Sequence, residues 1–64
     1  MFQKGDLVKW FFIYVVGIVE ETGTGIIIEV FEDPIFGEPY MRYRVYRNEY
    51  QDLMTFDYNQ IEIF

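Results

Sequence analysis

The stretch that decides the fold lies near the middle of the chain and reads GIIIEVFE, residues 25–32. Four β-branched residues and one phenylalanine occupy five of the six positions 26–31, a composition that favours strands over helices. Neighbouring side chains of a strand face opposite sides of the sheet. We therefore expect Ile26, Ile28 and Val30 to face a core and Phe31 to be at least partly exposed.

Four further strands are predicted from runs of β-branched and aromatic residues. Each run is bounded by turn-forming residues, which is typical of short strands. They are Asp6–Trp10, Tyr40–Arg47, Leu53–Phe56 and Ile61–Phe64. One face of four of the five strands supplies the predicted core, which comprises Val8, Trp10, Ile26, Ile28, Val30, Tyr43, Val45, Ile61 and Ile63.

The connections are predicted from glycine, proline and capping residues. Thr22–Gly25 is dense in glycine and predicts a turn. Asp33–Pro39 contains two prolines, which cannot donate to a sheet, and is predicted to be a loop. Asp57–Gln60 predicts one tight turn of 3-10 helix that Asp57 can cap. Five short strands with this turn before the last indicate a single all-β domain over residues 1–64.

The composition excludes most catalytic chemistry. The chain has no Cys and no His, which removes disulfides, thiolate ligands and the commonest acid–base group. Three threonines without an adjacent histidine predict no nucleophilic site, so we expect no catalytic residue, metal or cofactor. A calcium site gathered from acidic residues is the weak alternative, because the EF-hand spacing is absent. Its ligands would be Glu29, Glu32, Asp33 and Glu38.

The charge balance opposes nucleic acid and membranes as partners. Eleven acidic residues against five basic ones give a net charge of −6, which repels phosphates and anionic lipid. The apolar run 10–19 is too short to span a bilayer and lacks the features of a signal peptide. We expect no membrane association and no export by a signal of its own.

Three stretches of the chain together resemble a known family. The first stretch, Lys4–Trp10, contains the motif GDLV. The second, Gly25–Val30, is a glycine followed by three isoleucines and the pair Glu-Val. The third is Tyr43–Tyr46, which is followed later in the chain by the motif D-x-x-x-I-E within Asp57–Ile63. These stretches resemble the small SH3-like barrel proteins encoded by tailed bacteriophages. The resemblance implies a five-stranded SH3-like barrel and a location in the host cytoplasm or the virion. Residues 11–19 are apolar here, whereas such proteins usually carry a polar loop at this place.

The number of apolar residues predicts an exposed binding surface. Thirty-three of 64 residues are apolar, more than a barrel of this size can bury, and contiguous exposed apolar residues mark binding sites. The first candidate segments are Phe11–Val16 and the loop tip Ile35-Phe36. The alternative for Phe11–Val16 is that it folds over one end of the barrel and completes the core. The candidate contact residues in these segments are Phe11, Phe12, Ile13, Tyr14, Ile35 and Phe36.

A second candidate surface is the face of the third strand that alternates aromatic and basic residues: Tyr40, Arg42, Arg44 and Tyr46. Such a face can stack nucleic-acid bases or contact a protein. In the purely structural alternative, the arginines pair with carboxylates such as Glu29 across the sheet.

These observations predict a non-enzymatic protein–protein interaction module, a phage accessory or virion-associated protein that binds a protein partner or a second copy of itself. The first alternative is an acidic mimic of nucleic acid that occupies a basic host protein. The weaker alternative is a barrel that binds nucleic acid.

Overall fold

The computed structural model describes residues 2–14, 19–35 and 38–64 and places five antiparallel strands in one sheet. The strands are β1 (Leu7–Tyr14), β2 (Val19–Ile35), β3 (Glu38–Arg47), β4 (Asp52–Asp57) and β5 (Ile61–Ile63), with a 3-10 turn at Tyr58–Gln60 before β5. Their order across the sheet is β4-β3-β2-β1-β5. The all-β class and the 3-10 turn are confirmed. In the part of the chain that the structure describes, the edge strands β4 and β5 do not pair, so the sheet is open.

The core lies on one face of this sheet, and the predicted inward face of β1 and β3 is confirmed. Seven apolar residues are buried: Val8, Trp10, Ile27, Tyr43, Val45, Phe56 and Ile61. Five of these were predicted. The prediction was wrong for Ile63, which is 59% exposed, and it missed Phe56, whose ring stacks on Trp10 with centroids 5.9 Å apart.

The predicted face of β2 was wrong for Ile26 and Ile28 but right for Val30, because a bulge interrupts the strand. Ile27 lies opposite Val45, but the next paired residue is Glu29, so Ile28 is an extra residue. Ile27 and Val30 consequently share the core side, while Ile26 and Ile28 are only half-buried. A bulge bends its strand. β2 needs a bend, because 17 extended residues span about 55 Å, whereas the longest dimension of the molecule is 31 Å.

The glycines of Thr22–Gly25 do not form the predicted turn. They lie within β2, where Gly23 pairs with Trp10. A Cβ atom at Gly23 would lie 2.7 Å from Cε2 of Trp10 and 2.6 Å from Oε1 of Glu49. The glycines therefore permit close packing inside a strand. The connection between β1 and β2 falls at residues 15–18, outside the described residues.

Most of the predicted loop Asp33–Pro39 belongs to strands as well. β2 continues to Ile35 and β3 begins at Glu38, and Pro34 lies opposite Pro39. Two prolines can face each other only where the pair exchanges no hydrogen bonds, and such pairs alternate with bonded pairs in an antiparallel ladder. The connection is thus confined to residues 36–37, which lie outside the described residues.

A buried arginine closes one end of the core. Arg47 is 7% exposed and donates two hydrogen bonds to the Asp52 carboxylate, at 2.7 and 2.6 Å. Its guanidinium carbon lies 5.0 Å from the ring centroid of Trp10 and 4.0 Å from that of Tyr50. The hydrogen bonds from Arg47 lower the pKa of Asp52. This bidentate pair fixes the side chain that covers the Trp10 ring.

Candidate protein-interaction surface

A row of apolar side chains crosses the outer face of the sheet. Strand register places Leu53 of β4 opposite Tyr46 of β3, Tyr46 opposite Ile26 of β2, and Ile26 opposite Leu7 of β1. Phe64 follows β5, and its N–H donates to the carbonyl oxygen of Leu7 at 3.1 Å. We call Leu7, Ile26, Tyr46, Leu53 and Phe64 the outer apolar row.

The outer apolar row is exposed because its strands direct the neighbouring residues inward. Leu7 precedes the fully buried Val8, and Tyr46 follows the fully buried Val45. The exposed fractions are 61% for Leu7, 37% for Tyr46, 52% for Leu53 and 74% for Phe64, and Ile26 is half-buried. Residues directly opposite on neighbouring strands have Cβ atoms about 5 Å apart. The row is therefore contiguous, and a contiguous exposed apolar patch is typical of a binding site.

A small cavity lies at the β5 end of the outer apolar row. Its volume is about 120 Å³. Apolar side chains of partners often anchor in such pockets. The lining residues are Leu7, Val8, Thr24, Gly25, Asn48 and Phe64.

The wall of this cavity is held in place by the turn between β3 and β4. The Glu49 carboxylate accepts hydrogen bonds from the Thr24 N–H at 2.9 Å and from its hydroxyl at 2.7 Å. The Asn48 N–H donates to the Thr24 carbonyl oxygen at 3.0 Å. The bonds from Thr24 lower the pKa of Glu49, which is therefore ionised at neutral pH. Because these hydrogen bonds already order the wall, it loses little conformational entropy when a partner binds against it.

The aromatic and basic face of β3 is present, but its arginines are engaged within the sheet. Arg42 lies 3.1 Å from Asp33 and 3.2 Å from Asp57, with Asp33 raising its pKa. Arg44 pairs with Glu29 at 3.6 Å, as the structural alternative predicted. Tyr40 is half-buried and lies opposite Asp33, whereas Tyr46 belongs to the outer apolar row.

The first predicted segment continues β1 beyond its pairing with β5. Phe11 and Phe12 are half-buried, and Phe12 packs against the core. Ile13 and Tyr14 pair through their backbones with residues 20 and 19 of β2, and Ile35 pairs with residue 38. The side chains of Ile13, Tyr14 and Ile35, and the whole of Phe36, lie outside the described residues. Strand pairing places the two predicted segments at opposite ends of β2.

Sequence reasoning identified one member of the outer apolar row and missed four. Leu7 and Leu53 carried a usable signal, since each alternates with a residue that faces the core. Ile26 was assigned to the core because the bulge was not visible. Phe64 joins the row only through its hydrogen bond to β1. The row depends on the register of all five strands, which local patterns do not reveal.

The described residues form neither a metal site nor a membrane-spanning helix. The part of the chain that the structure describes contains no cluster of three or more carboxylates that could hold a metal ion. The side chain of Glu38, one of the ligands in the weak calcium alternative, lies outside it. None of the described residues belongs to a helix long and apolar enough to cross a membrane.

Comparison of the chain with protein-family models, with curated proteins and with solved structures found no match. Inference about function therefore depends on the geometry of the outer apolar row and on the residues of the chain itself.

Proposed function

We propose that this chain is a non-enzymatic protein-interaction module of the SH3-like barrel type, which binds a partner protein through the outer apolar row. The observation that carries the proposal is the alignment of Leu7, Tyr46, Leu53 and Phe64 across strands, all substantially exposed. The resemblance to small barrel proteins of tailed bacteriophages supports a role as an accessory or virion-associated protein.

The partner is expected to present an apolar surface bordered by basic residues. The net charge of −6 repels a second copy and attracts a cationic protein. Apolar contact at the row would supply most of the affinity, while charge would set partner choice and the rate of association. A mimic of nucleic acid needs free carboxylates, but Asp33, Asp52 and Asp57 lie within 3.2 Å of arginines of the same chain. This pairing favours the apolar mode of binding over mimicry.

The experiment is site-specific photo-crosslinking from the outer apolar row. A photoreactive phenylalanine replaces Tyr46, and in the control it replaces Tyr58, which is 67% exposed and lies on the 3-10 turn. Crosslinking in the native host extract should give one discrete adduct from position 46 only. The crosslinked protein is then identified, purified and titrated against the unmodified chain.

Substitutions in the outer apolar row test whether the identified protein binds at this row. Leu7→Gln and Leu53→Gln should each weaken the measured affinity by about tenfold or more, as truncations at the centre of an interface do. The control Tyr58→Gln should leave it unchanged. The proposal is wrong if the row variants bind as well as the parent chain. An adduct of twice the chain mass, with a dimer in sedimentation, would replace the foreign partner with a second copy.

A further inference from the structure

Among the described residues, the second half of β2 has no neighbouring strand on one of its two sides. On the side of β1, the last backbone bonds run from the Gly5 N–H to the Ile27 carbonyl oxygen, at 2.7 Å, and from the Ile27 N–H to the Asp6 carbonyl oxygen, at 3.0 Å. Beyond Ile27, the described residues pair with β2 only on the β3 side. An unpaired strand edge is a template for another strand.

The backbone groups of Val30 and Glu32 point toward this edge. Pro34 faces Pro39 in a pair that cannot exchange hydrogen bonds, and bonded and non-bonded pairs alternate along the ladder. Glu32 and Val30 lie two and four residues before Pro34. They therefore direct their N–H and C=O groups away from β3, and no hydrogen bond from the described residues reaches them.

A groove with a volume of about 550 Å³ runs along the same edge. The turn Gln3–Asp6 creates it, because this turn carries the chain away from β2. The Asp6 N–H donates to the Gln3 carbonyl oxygen at 3.1 Å, and Gly5 has a φ of 95°, a left-handed conformation that glycine adopts freely. The walls are Phe2, Gln3 and Lys4 on one side and Ile28, Glu29 and Val30 on the other.

The groove has a fixed apolar base, and an exposed carboxylate lies just beyond it on the same strand. The Phe2 ring packs edge-on against Tyr43, with centroids 5.3 Å apart, and Val30 packs against the core. Glu32 is exposed and lies two residues beyond Val30 on the same face of β2, whereas Glu29 lies on the opposite face and pairs with Arg44. A strand that fits here therefore needs an apolar side chain toward Phe2 and Val30 and a basic side chain two residues away, toward Glu32.

We propose that this groove binds an extended segment of a partner protein by β-strand addition, in which an apolar residue pairs with Val30 and a basic residue two positions away pairs with Glu32. Main-chain hydrogen bonds supply affinity in such complexes, and the alternate side chains supply specificity. The groove is separate from the outer apolar row, so the test of strand addition is independent of the test of the proposed function.

The test uses the full chain and a capped hexapeptide, Thr-Val-Thr-Lys-Thr-Val, as the probe, because its lysine has a valine two residues away on either side. Titration followed by amide NMR should shift the resonances of Val30 and Glu32. At saturation, exchange of these two amides with solvent should slow by about tenfold or more, because each gains a hydrogen bond. The amide of Lys9, which lies in the paired part of β1 between β2 and β5, should not change.

Two modifications separate strand addition from simple electrostatic attraction. Glu32→Pro removes an edge-facing N–H without breaking a bond to β3, as Pro34 does naturally, and Glu32→Gln removes only the charge. Glu32→Pro should weaken peptide binding by about tenfold or more, and Glu32→Gln should weaken it less. If Glu32→Pro fails to fold, a peptide N-methylated at its edge-pairing residues tests the same bonds on the parent chain and should lose binding.

Three results would overturn the proposal. One is the absence of shifts at Val30 and Glu32 at millimolar peptide. Another is full binding of the N-methylated peptide, which would mean that the groove attracts the probe without pairing. The third is loss of peptide binding in Leu53→Gln, since this residue of the outer apolar row does not line the groove.

Discussion

The substitution Gly23→Ala tests whether the glycines of β2 serve packing. In an unobstructed strand, alanine in place of glycine stabilises by about 0.5–1 kcal/mol because it restricts the unfolded chain. At position 23 the new Cβ would lie against the Trp10 ring, 2.7 Å from Cε2. The ring is fully buried, stacks on Phe56, and donates from Nε1 to the Thr24 carbonyl oxygen at 3.1 Å. These contacts prevent the Trp10 ring from shifting to accommodate the new methyl group.

The two effects can be compared in magnitude. Forcing a methyl group into a packed core costs about 1–3 kcal/mol, and the fixed Trp10 ring places Gly23→Ala at the upper end of that range. After the gain from the unfolded state, the net destabilisation is about 2 kcal/mol. For a domain of this size, this lowers the Tm by about 8–16 °C.

The assay is thermal and urea unfolding followed by circular dichroism. Trp10→Phe supplies the second arm of a double-mutant cycle, because a smaller ring leaves space for the Cβ, and a clash between the two sites appears as a coupling energy. Gly5→Ala is the control: its Cβ meets no atom within 4 Å, so it is destabilising only through its φ of 95° and shows no coupling to Trp10. A rise in Tm for Gly23→Ala, or zero coupling with Trp10→Phe, would refute the packing argument.

Three further results are expected. Phe56→Ala removes a fully buried ring and should cost about 3–5 kcal/mol in urea unfolding, whereas Leu53→Ala, half-exposed on the same strand, should change the free energy of unfolding by only about 0.5 kcal/mol. The hydrogen bonds from Arg47 lower the folded-state pKa of Asp52, so its contribution is present above about pH 4 and is lost as the pH falls through the folded pKa; Asp52→Asn should flatten the acid limb of a plot of Tm against pH. Fluorescence anisotropy should detect no binding of duplex DNA tighter than about micromolar at physiological salt, since the charge of −6 opposes it.

Alternation predicted the core correctly in β1 and β3. Val8 and Trp10 in β1, and Tyr43 and Val45 in β3, are buried as expected, because each strand buries a single face. In β2 the same reasoning failed, since Ile27 and Val30 are three positions apart and share a side only through the bulge at Ile28. A period of two cannot reveal an inserted residue.

The candidate surface was less accessible to sequence reasoning than the core. Glycine and proline are strong signals of turns, but Gly23 sits in a strand because the Trp10 ring requires the space. Pro34 and Pro39 sit in strands because the ladder needs no N–H from them. In both cases the deciding contact lies on another strand, 13 residues away from Gly23 in the first case. Tyr46 was predicted as a contact residue, but only the strand register shows that Leu53 and Ile26 lie beside it.

The length of β2 explains why unpaired edges exist in so small a sheet. β1 pairs with its first half and β3 with its second half, so in the described part of the chain each half has one side without a paired strand. In the first half, the turn after β3 covers the free side at Thr24, where Asn48 and Glu49 take up the carbonyl and the N–H. In the second half, the unpaired side of β2 borders the groove. Backbone pairing on this side ends at Pro34, because proline has no N–H that could donate a hydrogen bond. Proline and charged residues are common means of limiting edge pairing. Placed two residues beyond Glu32, Pro34 restricts an added strand to the few residues beside Val30 and Glu32, which favours a short partner segment over open-ended self-association.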